Sequence, residues 1–413
     1  MAVIKPFRAI RPSKDKVPFV VSRSYEEYTK KELESRLRYN PFSFLHIINP
    51  GFKFDRRVKG PERFRLVRNR YLEFLEDEIL VKDKEPSIYL YEISRDSFYC
   101  CGFFCLTSIK DYIEGTIKKH ENTIARREKL FADYLDVVGY EAEPVLMTYP
   151  SKSSISSIIK AEKEKEPKYF FTTPDRMTHR LWCLKDKTVL KRLQSEFEKI
   201  DALYIADGHH RSASSRLLSE LRSANNTGNG NSSHDFFMSY LIPEDEVRIY
   251  EFNRMIKDLN GLTKEEFLSA LDGMFRIKNC GEELYRPGKK HHFSMYLDGE
   301  FYSLYLRKKV YHFTDALSRL DTQILYKTIL EPILGIRDLR NDKRIRYGYG
   351  KRNVITMKNE IDAGRFKVGF GLVPITMSEI KSIADAGLVM PPKSTYIEPK
   401  LRSGLAVYEL FPR

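Results

Sequence analysis

Residues 207–211 read Asp-Gly-His-His-Arg and combine a carboxylate, a glycine, two imidazoles and a guanidinium. The run 202–206 before them is apolar, as in a buried strand, and segment 212–221 after them spaces its leucines as in a helix. A turn between a strand and a helix places main-chain amides at the positive end of the helix dipole, where anions bind. Gly208 permits close approach of the backbone, and Arg211 can donate charged hydrogen bonds to phosphate oxygens. The segment is therefore predicted to be a phosphate-binding turn.

Within this turn, Asp207 and His209 are candidate catalytic residues, and Gly208, His210, Arg211 and Ser212 are candidate phosphate- or nucleotide-binding residues. Another interpretation makes the aspartate a helix cap and the histidines ordinary surface residues, and the local pattern alone leaves both open. Metal binding by the paired histidines is disfavoured, because neighbours in sequence rarely point at one ion. The metal therefore stays unknown, although Asp207 could hold a hydrated Mg²⁺ through phosphate.

A second candidate group lies at 118–123, where two lysines, a histidine, a glutamate and a threonine fall within six positions. Phosphoryl transfer needs positive charge near the developing oxyanion and a base aimed at the nucleophile, and this group offers both. Glu121 is the candidate base, His120 a second catalytic candidate, and Lys119 and Thr123 candidate phosphate-binding residues. The competing interpretation is a carboxylate near a helix start that Thr123 caps.

The third candidate group follows Pro391-Pro392, two prolines that stiffen a loop and reduce the entropy lost when its side chains bind a ligand. A surface extension with solvated charges is the alternative interpretation. The candidate phosphate- or nucleotide-binding residues of this group are Lys393, Ser394, Thr395 and, a few positions later, Lys400.

The elements that must position these residues alternate between helix and strand patterns, which predicts a mixed α/β fold. Two strands are predicted at 87–93 and 98–109, joined as an antiparallel pair, and a hairpin is predicted at Asp298-Gly299. At 413 residues the chain exceeds the size of one hydrophobic core, so two lobes are expected. We predict an α/β lobe over 1–222, a flexible loop over 223–233, and residues 234–413 as a continuation of the same sheet followed by a second, mixed-sheet lobe.

Composition sets limits on the class of protein. The net charge of +14 favours anionic ligands, but the absence of an evident helix-turn-helix makes nucleic acid an unlikely partner. Without a membrane span or an apolar signal core, a cytoplasmic protein is expected. The five cysteines are predicted to be buried thiols, because their spacing suits neither disulfides nor a metal site.

The sequence resembles the bacterial and archaeal family known as domain of unknown function 1015 over nearly its whole length. One departure is the segment Pro18–Ser22. The family often carries Pro-Pro-Tyr-Asp-Val at this place, and this sequence lacks that aspartate, so any role that the aspartate has in the family does not carry over. The resemblance rests on five segments: KPFRAIRP at 5–12, NPFSFLH at 40–46, IKKHENT at 117–123, YIADGHHRSA at 204–213 and MPPKSTYIEPKLRSGL at 390–405.

The turn at 207–211 also resembles the phosphate-binding signature of the ParB and sulfiredoxin superfamily, which includes free serine kinases. This resemblance implies a ParB/sulfiredoxin-like core, and it implies that residues 208–211 grip nucleotide or product phosphate while a carboxylate elsewhere takes the hydroxyl proton. The implied function is a kinase for serine or a similar hydroxylated metabolite, with ATP or ADP and Mg²⁺ as cofactors. A phosphoserine phosphatase and a ParB-like nucleotide-binding regulator that contacts DNA are the alternatives. The oligomeric state is left open.

Overall fold

The computed structural model describes residues 1–224, 232–309, 311–349 and 353–411. Most of the loop predicted at 223–233 lies outside the described residues. The chain divides into two units, each described below by itself. Unit 1 comprises Met1–Lys118, Asn122–Val247 and Pro399–Arg413, and unit 2 comprises Lys119–Glu121 and Arg248–Glu398.

The strands alternate with helices along the chain, which confirms the mixed α/β fold. In chain order the strands are β1 (Ile4–Lys5), β2 (Ile10–Pro12), β3 (Leu80–Lys82), β4 (Ile88–Arg95), β5 (Phe98–Ser108), β6 (Ile117–Lys118), β7 (Tyr140–Glu141), β8 (Val145–Tyr149), β9 (Tyr169–Thr172), β10 (Thr178–Leu184), β11 (Leu203–Asp207), β12 (Phe236–Pro243), β13 (Arg248–Tyr250), β14 (Phe252–Ile256), β15 (Phe275–Gly281), β16 (His292–Leu297), β17 (Glu300–Leu306), β18 (Ile345–Tyr349), β19 (Val368–Gly371), β20 (Tyr396–Glu398) and β21 (Tyr408–Glu409).

Several helices begin at capping boxes, in which a threonine and a glutamate satisfy amides of the first turn, as at Thr29, Thr263 and Thr376. The α-helices are α1 (Val17–Val20), α2 (Lys30–Tyr39), α3 (Leu45–Ile48), α4 (Gly60–Glu76), α5 (Ile109–Ile113), α6 (Ala125–Val138), α7 (Ser153–Lys163), α8 (Lys187–Glu198), α9 (His209–Ser223), α10 (Lys264–Asp272), α11 (Asp321–Leu325), α12 (Asn353–Asp362) and α13 (Met377–Asp385). In the described part of the chain, none of the helices has the length and apolar character that crossing a membrane requires.

The main sheet of unit 1 has the strand order β6-β11-β8-β12-β5-β4-β10-β9, and β1 pairs with β5. It is a mixed sheet. The pairs β6–β11 and β8–β12 are parallel, whereas the pairs β8–β11 and β5–β12 are antiparallel. Helices α7 and α8 bury Ile155, Leu193 and Phe197 in the core formed with this sheet. The predicted antiparallel pair is confirmed as β4 and β5. All five cysteines are free thiols, and Cys100, Cys101 and Cys105 are buried in β5.

Unit 2 is built on a six-stranded sheet with the order β15-β17-β16-β19-β14-β18. Every neighbouring pair in this sheet is antiparallel. The predicted hairpin is confirmed, because Asp298 and Gly299 both take positive φ between β16 and β17. Their φ values of 53° and 84° suit the turn that Asp-Gly favours.

Strand β12 follows the loop predicted at 223–233 and still belongs to unit 1. Strand β12 pairs with β5 and β8 in the sheet of unit 1, and the chain passes into unit 2 only after Val247. Strands β13 and β14 pair within unit 2, so the segment after β12 does not continue the first sheet. Residues from Pro399 onwards belong to unit 1 again, a return that rests on long-range pairing such as that of β21 with β7.

Candidate phosphate-binding site

The turn at 207–211 joins β11 directly to α9. Gly208 stands at the N-cap with φ of 102°, a left-handed conformation that favours glycine. The Gly208 carbonyl oxygen accepts hydrogen bonds from the amides of Arg211 and Ser212, at 2.9 and 3.1 Å. A Cβ atom at position 208 would lie 2.9 Å from Nε of Arg211, so that side chain would have to shift to admit it. The predicted strand, turn and helix are thus in place, with the turn at the positive end of the α9 dipole.

Two cations face the carboxylate of Asp207. Lys400 Nζ lies 3.2 Å from its Oδ1, and Arg211 Nη2 donates to its Oδ2 at 2.8 Å. Burial works to raise the pKa of Asp207, but the positive charges of Lys400 and Arg211 outweigh it and hold that pKa below its usual value. Asp207 is therefore a carboxylate anchored between two cations, and Lys400 joins the turn although it lies far away in sequence.

Arg211 connects the turn to the start of β8. Its Nη1 donates to the carbonyl oxygen of Pro144 at 2.6 Å and lies 3.9 Å from a carboxylate oxygen of Glu143. Ser403 in turn donates to Glu143 at 2.8 Å. The guanidinium is thus held in place by protein groups, and 32% of the side chain stays exposed to solvent.

The two histidines and Ser212 have different environments at the start of α9. His209 is 6% exposed and His210 is half-buried. Ser212 is fully buried and donates from Oγ to the carbonyl oxygen of His209 at 3.0 Å. The structure therefore groups residues 207–212 with Lys400, and the roles predicted for the individual side chains stay predictions.

Glu141 is a buried carboxyl beside α9 that the sequence did not point to. Ser215 donates to its Oε1 at 2.7 Å, and the amide of Met238 donates to its Oε2 at 2.6 Å. Burial raises the pKa of Glu141 to about 7, although these hydrogen bonds and the charge of Arg211 act in the opposite direction. Its sequence context, Tyr140-Glu141-Ala142, carries no local signal of such burial.

We expect the Glu141→Gln variant to lose a pH dependence of stability that the wild type has. The folded wild type binds a proton more tightly than the unfolded chain, so its free energy of unfolding falls as pH rises from the usual glutamate pKa towards 7, by on the order of 3 kcal/mol. Glutamine stays neutral and can accept from Met238. Urea unfolding measured between pH 5 and 8 checks this, with the exposed Glu220→Gln on α9 as the control. Equal slopes for wild type and Glu141→Gln would contradict the assignment.

A second charged group in unit 1 surrounds Arg402. Its Nη2 lies 2.5 Å from Asp175 and 3.2 Å from the hydroxyl of Thr173. That hydroxyl contacts the ring of His179 at 3.0 Å, and burial together with the charge of Arg402 lowers the pKa of His179 to about 3. Burial raises the pKa of Glu27, against the charges of Arg402 and Lys400. The charges of Arg402 and Lys400 therefore act on the carboxylate of Glu27. The sequence did not predict this proximity.

The remaining candidates divide between the two units. In unit 1, Thr123 lies outside α6, which begins at Ala125, and its hydroxyl donates to Glu128. In unit 2, Lys119 is exposed, Glu121 is half-buried and His120 is fully buried, with its carbonyl oxygen accepting from the amide of Met390 at 3.0 Å.

The loop of Lys393, Ser394 and Thr395 also belongs to unit 2. Lys393 is exposed and has φ of 58°, whereas Ser394 is 1% exposed. The Ser394 hydroxyl contacts the carbonyl oxygen of Pro391 at 2.6 Å and the hydroxyl of Thr322 at 3.2 Å. Ser394 therefore fixes the loop, and Lys393 is the member that faces solvent.

The family whose description reads "Protein of unknown function (DUF1015)" matches residues 4–323 of this sequence. The chain belongs to the DUF1015 family. The match includes the turn at 207–211 and the group at 118–123, but it ends before Lys393 and Lys400, whose roles rest on their contacts alone. A comparison with curated proteins found no match.

Solved structures give distant matches for this DUF1015 protein. A free serine kinase in complex with AMP has a TM-score of 0.37 and 14% identity, covering 73% of this chain and 91% of that chain. SbnI with a C-terminal truncation, from Staphylococcus aureus, has a TM-score of 0.39 and 12% identity, covering 74% and 87%. A conserved hypothetical protein from Pyrococcus furiosus has a TM-score of 0.35 and 14% identity, covering 75% and 97%. Likeness at this level carries no argument about ligand or reaction.

Proposed function

We propose that this protein is a nucleotide-dependent kinase that phosphorylates free serine or a similar small hydroxylated metabolite. The observation that carries the proposal is the turn between β11 and α9, where Gly208 takes positive φ at the start of a 15-residue helix. A helix start with Arg211 and Lys400 beside it is a setting that binds phosphate. The substrate class comes from the resemblance of the Asp-Gly-His-His-Arg turn to the free serine kinases.

In the proposed reaction the terminal phosphoryl group of ATP or ADP moves to the substrate hydroxyl. The bond between phosphorus and the nucleotide oxygen breaks, a bond to the substrate oxygen forms, and the hydroxyl proton passes to a base, for which Glu121 is the candidate. His120, His209 and Asp207 are the other candidate catalytic residues. The candidate phosphate- and nucleotide-binding residues are Gly208, His210, Arg211, Ser212, Lys119, Thr123, Lys393, Ser394, Thr395 and Lys400.

Asp207 binds the same two cations that a phosphate at the turn would bind. Arg211 and Lys400 now neutralise its carboxylate at 2.8 and 3.2 Å. A phosphate that accepts hydrogen bonds from either cation competes with this carboxylate for them. Binding therefore involves an exchange of partners at the turn, in which phosphate oxygens replace one or both oxygens of Asp207.

The surroundings of Asp207 do not fit a direct Mg²⁺ ligand, because each of its two carboxylate oxygens faces a cation. Magnesium commonly keeps several waters and binds through substrate phosphates. An Mg²⁺ ion that accompanies ATP or ADP would accordingly be held by the nucleotide phosphates. No step of the proposed reaction is assigned to a metal bound by Asp207.

One assay tests the proposal. The purified protein is incubated with ATP or ADP, Mg²⁺ and serine, and in parallel with phosphoserine alone. Phosphoserine that forms only in the presence of nucleotide is the expected result. Release of phosphate from phosphoserine alone would replace the kinase with a phosphatase. Nucleotide binding without either reaction would favour a regulator and overturn the enzymatic proposal.

A further inference from the structure

Unit 2 contains a buried guanidinium, that of Arg254. Arg254, on β14, is 3% exposed. Its nitrogens donate to the carbonyl oxygens of Phe252 at 2.5 Å and Lys393 at 3.1 Å, and its charge lies 5.7 Å from the ring centre of Tyr347. Among the residues that the structure describes, no carboxylate forms an ion pair with it. Burial lowers the pKa of Arg254 to about 10, so the group still carries its charge at neutral pH.

A buried charge is unfavourable unless an opposite charge or strong hydrogen bonds compensate for it. Two carbonyl oxygens compensate only in part, because they supply dipoles and no negative charge. An arginine in this state attracts an anion to any surface that its field reaches. Through its bond to the Lys393 carbonyl oxygen, Arg254 contacts a loop whose lysine is exposed.

Lys393 is a second cation at the same place. It is exposed, and within the described ranges it forms no ion pair. Its backbone has φ of 58°, a conformation that residues with side chains rarely adopt and that surrounding contacts must hold. The bond from Arg254 to the Lys393 carbonyl oxygen is one such contact, and the buried Ser394 is another. The arrangement fixes the backbone at position 393, from which the exposed lysine side chain extends.

Lys393 lies beside Phe252, one of three aromatic rings that contact one another. Its Nζ stands 5.6 Å from the ring centre of Phe252, which is 5.7 Å from the ring of Tyr349 and 6.1 Å from that of Tyr396. Tyr349 and Tyr396 are stacked, with ring centres 4.4 Å apart and an angle of 18° between the planes. Tyr349 is 53% exposed although it is aromatic. An exposed ring in an aromatic cluster that a lysine contacts suits a ligand with both an anionic group and a flat ring.

We propose that unit 2 carries a nucleotide site in which Lys393 binds the phosphates, Tyr349 stacks on the base, and Arg254 positions Lys393 and adds positive potential. The ligand class is a nucleoside di- or triphosphate. The inference deepens the proposed function. Only one part of it, that the bound nucleotide donates the phosphoryl group, rests on that function. Arg254 and Tyr349 are new members of the site, since neither lies in a motif that the sequence singled out.

The test uses ADP and inorganic pyrophosphate as probes in calorimetric titrations of the full chain. Tyr349→Ala is expected to weaken ADP binding about 10-fold or more and to change pyrophosphate binding less than about 2-fold, because only ADP carries a base. Lys393→Ala is expected to weaken both probes about 10-fold or more. Tyr39→Ala, at a tyrosine of α2 that is 77% exposed, and Lys191→Ala, at an exposed lysine of α8, are the controls.

Arg254→Met separates positioning from simple support of the fold. We expect it to weaken both probes and to reduce the salt dependence of ADP binding, since one charge of the site is gone. Support of the fold alone would lower the unfolding temperature and leave both properties unchanged. If Arg254→Met fails to fold, the surface variants at 349 and 393 still decide the question.

Unchanged ADP affinity in Tyr349→Ala and Lys393→Ala would overturn the inference, even in a protein that makes phosphoserine. If Tyr349→Ala weakened the binding of ADP and of pyrophosphate equally, the site would recognise only the anion. That result would also overturn the inference. ADP binding with the expected pattern but no phosphoserine would instead count against the proposed kinase function and leave this site standing.

Discussion

Replacing Glu121 with glutamine is expected to lower the rate of phosphoserine formation by about 10²- to 10⁴-fold, the usual contribution of a general base. Glutamine has nearly the same shape as glutamate but cannot take up the substrate proton. Glu121 is half-buried and the neighbouring His120 fully buried, so the substitution makes a small change in a tightly surrounded segment. Steady-state assays with saturating nucleotide measure the effect, and titration with ADP is expected to show unchanged binding.

Glu114→Gln is the matched control for this prediction. Glu114 is an exposed carboxylate just after α5 that pairs with Lys110 at 3.7 Å, and the proposal gives it no role. Its substitution is expected to leave the rate within about 2-fold, as ordinary surface changes do. A Glu121→Gln variant as active as Glu114→Gln would remove the glutamate from the chemistry and leave His120, His209 and Asp207 as the candidate bases.

The second large effect is expected from Gly208→Ala. The positive φ at this position costs an alanine about 1–2 kcal/mol, and the added Cβ would approach Arg211 Nε to 2.9 Å. Arg211 must then shift, which disturbs its bonds to Asp207 and Pro144. We therefore expect a fall of about 2–4 kcal/mol in the free energy of unfolding, measured in urea, together with loss of phosphate transfer.

Gly115→Ala isolates the part of this effect that comes from Arg211. Gly115 also has a positive φ, 81°, but its Cβ would meet no atom within 4 Å. Its substitution is expected to show the backbone cost alone, about 1–2 kcal/mol, with activity unchanged. Equal destabilisation by the two variants would mean that Arg211 tolerates the displacement and that its contacts contribute little to the turn.

Elements with a strong local pattern could be predicted from the sequence. The antiparallel pair predicted at 87–93 and 98–109 spans Ile88–Arg95 and Phe98–Ser108. The neighbours of β12 in the sheet could not be predicted, because they come from distant parts of the chain. Its partners β5 and β8 lie about 100 residues or more earlier, and nothing in segment 236–243 encodes that choice locally.

The candidate site shows the same division between local and distant information. The Asp-Gly-His-His-Arg turn could be placed between a strand and a helix because each flanking pattern is local. The ion pair between Lys400 and Asp207 spans 193 positions and had no signal beyond the charges themselves. Arg254 had a weak signal that was missed, since it interrupts the apolar face that Phe252 and Ile256 share at alternate positions of β14. A charge in the middle of such a face marks either an exposed strand or a buried functional group.

The return of the chain to unit 1 at Pro399 has a consequence for synthesis on the ribosome. Asp207 leaves the ribosome 193 residues before Lys400, a delay of about 10 to 40 seconds at ordinary translation rates. All of residues 248–398, which make up nearly the whole of unit 2, are translated within that interval. The phosphate turn therefore acquires its lysine only after nearly all of unit 2 has been translated, and a nascent chain cannot hold the complete charge arrangement any earlier.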